Sequence, residues 1–142
     1  MEIALVRKQL VHAIEAARRG AAARRQQVHE AQDAYDRFLT DIAVPLVRQV
    51  ANVMKAEGFA FLVHTPSGGL RLASERSRDD YLDFALDTDS TPPQAMVFIS
   101  RGRGSRTVTV ERAIKPGAPV SAITEEDLLA FLIDVLGPWI ER

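Results

Sequence analysis

The chain has 142 residues, 46% of them hydrophobic and 26% charged, with a net charge of −1 and no cysteine. That balance suits one globular domain long enough to bury a core. It gives no overall pull towards nucleic acid, and it excludes disulfides, thiolate metal sites and cysteine nucleophiles.

No apolar run reaches the roughly 20 residues of a bilayer span. The acidic, charge-interrupted start MEIALVRKQ is not a signal peptide. A cytoplasmic protein without membrane contact is the expectation. Charge is unevenly spread: the first 29 residues hold six bases and two acids, while residues 59–142 are net −3.

Before Gly58 the sequence is rich in Ala, Arg, Gln and Glu, all good helix formers. Ile3, Val6, Leu10, Ile14 and Ala17, then Val28, Ala31, Tyr35, Phe38 and Ile42, recur at steps of three and four, which makes one helical stripe. Between the two sets, RRGAAARR allows either a continuous helix or a fold-back at Gly20. Pro45 removes a backbone donor and predicts a kink or restart. The stripe resumes through Leu46, Val47, Val50, Val53 and Met54, and Gly58 supplies a left-handed cap. A continuous helix of this length spans about 84 Å, against about 30 Å for a small domain. Most of it then has nothing of its own to pack on, which favours a coiled-coil-like seam with a partner.

From residue 59 the apolar period changes to two. FAFLVHT, LRLAS, YLDFALD, AMVFIS and RTVTVERAI read as five strands with short connections, an antiparallel meander. AMVFIS is apolar on both faces, as a central strand is. KPGAPVSAI reads as a loop. TEEDLLAFLIDVL begins with Thr124 as N-cap and Asp127 three residues on, close to a capping box. Its interior is apolar nearly all round, so it is buried on more than one side. Gly137 and Pro138 bend or stop it.

SRGRGSR, residues 100–106, raises the question of a phosphate hook. Gly102 and Gly104 are residues that a hairpin turn demands for positive φ, so the stretch reads first as a turn bearing solvated arginines. Arg101, Arg103 and Arg106 are the candidate phosphate contacts if it is more. Arg18, Arg19, Arg24 and Arg25 fan around the helix and make no single face.

His12, His29 and His64 are scattered, and a zinc site needs three or four converging ligands. The acidic run Asp79, Asp80, Asp83, Asp87 and Asp89 lacks the glycine and distal glutamate of a calcium loop. Neither a nucleophile elbow nor a phosphate-binding Gly-Lys loop is present. Carboxylates such as Asp83 and Glu111 could do acid–base work, but no spacing asks for it.

The expected fold is α+β. A long N-terminal helix (or helical hairpin, kinked near Pro45) forms an association segment over residues 1–57. A five-stranded antiparallel meander with the C-terminal helix packed on it occupies 58–142, in one compact domain overall. The expected function is a non-enzymatic protein-interaction or adaptor role with self-association through the helices, as a homodimer and with a protein partner. The anchors are Leu10, Ile14, Tyr35, Phe38, Ile42, Leu132, Leu136 and Trp139, with no metal or cofactor. Two alternatives stand beside it: a nucleic-acid accessory protein using the basic helix and the 101–106 turn, and a small-ligand-binding domain.

Overall fold

The computed structural model describes residues 1–141. Residues 3–56 are continuously helical in three pieces: α1 (Ile3–Phe38), a π turn (Leu39–Ala43) and α2 (Val44–Ala56). Gly20 sits inside α1 in open space. Its poor helix propensity is outweighed by the alanines that follow it, so the chain does not fold back there.

Pro45 acts locally. It has no N–H to give, and the chain makes its π turn just before it, with the Val44 N–H donating to the Leu39 carbonyl five residues back. Such a turn inserts one extra residue into the helix. The insertion shifts the apolar register by one: the buried stripe through Tyr35 and Phe38 continues as Val47, Ala51 and Met54 instead of Leu46, Val50 and Val53. One helix therefore keeps one apolar face on both sides of the proline. The end of α2 is a Schellman motif, with the Phe59 N–H on the Met54 carbonyl at 2.8 Å and Gly58 N–H on Lys55 at 3.1 Å; Gly58 takes φ 94°, which a side chain resists.

Strands β1 (Phe61–His64), β2 (Leu70–Ser74), β3 (Tyr81–Asp87), β4 (Gln94–Arg103) and β5 (Arg106–Ala113) pair antiparallel in sequential order. Their register sets Leu72, Leu82 and Ile99 in one row and Leu70, Phe84 and Val97 in the next. All six are buried in the single core that α2 and the C-terminal helix complete. Each row ends on β5, at Val110 and Arg112, where cover runs out and Val108 and Val110 are exposed. On the opposite face, the Arg71 guanidinium makes a two-pronged bond to Asp83 at 2.7 and 2.5 Å and lies 4.3 Å over the Tyr81 ring.

The segment read as a loop contains a short 3₁₀ turn, Val120–Ala122, and Val120 and Ile123 join the core. Helix α3 (Glu125–Ile140) then opens with the expected reciprocal cap: Asp127 N–H donates to the Thr124 hydroxyl at 3.1 Å, and Thr124 N–H to the Asp127 carboxylate at 3.0 Å. Lys115 reaches the same carboxylate at 3.0 Å. These bonds, the backbone one foremost, hold Asp127 below the usual carboxylate pKa.

Gly137 and Pro138 do not stop α3; it runs on to Ile140. Proline's φ is already helical and only one bond is forfeited near the end. Burial of Trp139 edge-on against Phe61, ring centres 5.6 Å apart, holds the last turn in place.

Candidate association surface

Burial along the N-terminal helix fades towards its start. Tyr35, Phe38 and Leu39 are in the core, and Ala21, Val28, Ala31 and Ala34 are half-covered. Nearer the N-terminus the same face continues with nothing on it: Ile3 is 85% exposed, Leu10 58% and Ile14 41%. Residues 3–27 thus form an arm of about 36 Å at 1.5 Å per residue. Lone exposed apolar side chains are ordinary, whereas a contiguous stripe of them marks an interaction surface. Arg7 and Arg18 stand beside this stripe at helical spacing.

A second apolar surface lies where α2 meets α3. Leu46, Val50, Val53, Leu129, Ile133 and Ile140 line an open groove of about 370 Å³. Val53 and Ile133 are 64% and 62% exposed. Glu125 and Glu126, one turn before Leu129, and Glu57, one turn after Val53, stand at its rim by helical spacing. α3 itself carries four acids and no base.

Of the expected anchors, Tyr35, Phe38 and Trp139 belong to the core of the single chain, and Ile42 is packed against it. Leu132 and Leu136 are core residues that also line this groove. Leu10 and Ile14 are on the open arm. The groove residues Val53, Leu129, Ile133 and Ile140 were not singled out from the sequence. The signal was present in a C-terminal helix apolar on more sides than a sheet can cover.

The arginine stretch is a hairpin. Arg103 pairs with Arg106 across Gly104 and Ser105, and Gly104 takes φ 64°, which places glycine at the first central position as a type II′ turn requires. Gly102, expected to need positive φ too, does not take it. Its N–H donates to the Asp80 carboxylate at 2.7 Å, and the Ser100 hydroxyl to the Asp79 carbonyl at 2.7 Å. A carboxylate therefore sits against the base of the arginine ribbon, which weakens its attraction for phosphate. Arg101 lines a shallow hollow with Arg112 and with Asp134 of α3, and Arg112 bonds Asp134 at 2.7 Å.

His29 lies 3.5 Å from Asp33, with both side chains largely in solvent. Among the described residues no three His, Asp or Glu side chains converge as a metal site would need, and no helix is long and apolar enough to cross a membrane. The acidic run has local structural work: Asp83 holds Arg71, and Asp87 accepts from the Asp89 N–H and the Ser90 hydroxyl.

Comparison with known proteins finds no matching family, no similar curated protein and no similar solved structure.

Proposed function

We propose that this is a non-enzymatic interaction protein that self-associates through its helices and presents the assembled body to a protein partner. The observation that carries this reading is the arm: a helix whose apolar face leaves the body and stays uncovered from Val6 to Ile14. Most of a helix's stability in a protein comes from packing its apolar face. A continuous stripe at coiled-coil spacing is the form in which helices supply such cover to one another. The groove between α2 and α3 adds a second exposed apolar patch on the same chain.

Size-exclusion chromatography with light scattering tests this reading. The expected result at micromolar concentration is a mass of twice the 15.7 kDa chain. A single-chain mass there overturns self-association. Nucleic-acid binding through the 101–106 turn has weaker support, because Asp80 bonds the ribbon's backbone and α3 is acidic.

A further inference from the structure

The arm and the groove match each other in length, polarity and charge. We infer that the α2–α3 groove of one chain receives the N-terminal arm of a second copy, and reciprocally; this rests on the self-association reading above and names its geometry. The stripe from Ile3 to Ile14 and the groove side from Leu129 to Ile140 each span eleven helical steps, about 16 Å. Both surfaces are aliphatic, and both are exposed in the single chain.

Charge selects between the two ways of covering the arm. The first 29 residues carry six bases and two acids, so pairing arm against arm brings like charges together. Against the groove, the arm's bases approach Glu125 and Glu126 at the start of α3, whose other two acids, Asp127 and Asp134, are already paired with Lys115 and Arg112. Lys55 and Arg48 of α2 lie on the helix side away from the groove residues Leu46, Val50 and Val53, by the 3.6-residue period.

Connectivity fixes the direction. Arm and α2 are two ends of one continuous helix. Two such helices side by side in parallel would set arm against arm. Antiparallel, each arm lies on the other copy's α2, and a single two-fold axis satisfies both grooves. Ile3 then falls near Val53 of the second copy and Leu10 near its Leu46, with the axis close to Val28.

The chain has no cysteine, so introduced thiols report proximity cleanly. The test is oxidation, or a short bismaleimide, on full-length Val6→Cys/Val53→Cys beside each single variant; both positions are exposed, so neither change endangers folding. The expected result is nearly complete conversion of the double variant to covalently linked species, with both singles unlinked. Linkage of Val6→Cys alone means arm-on-arm pairing and overturns groove docking. A dimer by light scattering whose double variant stays unlinked also overturns it while leaving self-association standing. A monomer by light scattering overturns both.

Discussion

Ile14 and Tyr35 stand three heptads apart on one stripe of one helix, yet Ile14 is 41% exposed and Tyr35 only 6%. The helix has not changed; the body beneath it has ended. That relationship separates two kinds of apolar residue in this chain, those that hold the fold and those left for a second molecule.

Residues of the second kind should be removable without unfolding the chain. Leu10→Asp with Ile14→Asp is expected to leave the body's circular dichroism and urea midpoint within about 0.5 kcal/mol of the parent dissociated chain, as surface changes do. The same variant should shift the light-scattering mass to that of one chain. Loss of the folded signal would mean that the arm is part of the core.

The two faces of α3 should respond differently. Leu132 is fully buried, and Leu132→Ala is expected to cost about 2–5 kcal/mol in urea unfolding through lost burial and the cavity left behind. Ile133→Asp, one residue on but in the open groove, should change the dissociated chain's stability little and weaken association instead. Equal stability losses at both positions would contradict the assignment of Ile133 to a surface.

Tyr35 carries a buried hydroxyl with no hydrogen-bond partner among the described residues. Removing an unsatisfied buried polar atom relieves its desolvation, so Tyr35→Phe should leave stability unchanged or raise it by up to about 1 kcal/mol. Burial, then the charges of Asp36 and Asp83, push the Tyr35 pKa well above its ordinary value. A raised folded-state pKa means stability that is full below the unfolded value, about 10, and is lost as pH climbs past it, because the unfolded chain sheds the proton first. The parent protein should lose stability above about pH 10 more steeply than Tyr35→Phe. Coincident alkaline profiles would contradict this.

Arg101, Arg103 and Arg106 on the hairpin are exposed or half-exposed. Changing all three to alanine should leave the oligomeric state and the melting profile nearly unchanged, since Gly104 and the strand register, not the arginines, make the turn. Salt-sensitive binding of a generic duplex that the triple variant abolishes would restore the phosphate-hook reading.

The elements were legible in the sequence because each has a local cause. The period-two runs in LRLAS and YLDFALD, the Thr124–Asp127 cap and Gly58 all act within a few residues of themselves, and the structure places strands, cap and helix end there. What could not be read was which part of the stripe the body covers. Tyr35 and Ile14 look alike in sequence; the difference is set by Val120 and Ile123, some 85 residues downstream of Tyr35, in a segment that reads as loop. The groove was hidden for a related reason. It needs the π turn before Pro45, which gives the core side of α2 to Val47, Ala51 and Met54 and turns Val53 outwards, and an inserted turn leaves no apolar signature of its own. At Pro138, the local rule for proline was overridden by a distant partner, Phe61 beneath Trp139.

Amide hydrogen exchange on residues 3–27 of the intact chain tests most directly whether the arm is sheltered. The account predicts slow exchange from Val6 to Ile14, approaching that of the core helices at micromolar concentration and speeding up on dilution as copies separate. Exchange of those amides at near-random-coil rates, independent of concentration, would contradict it.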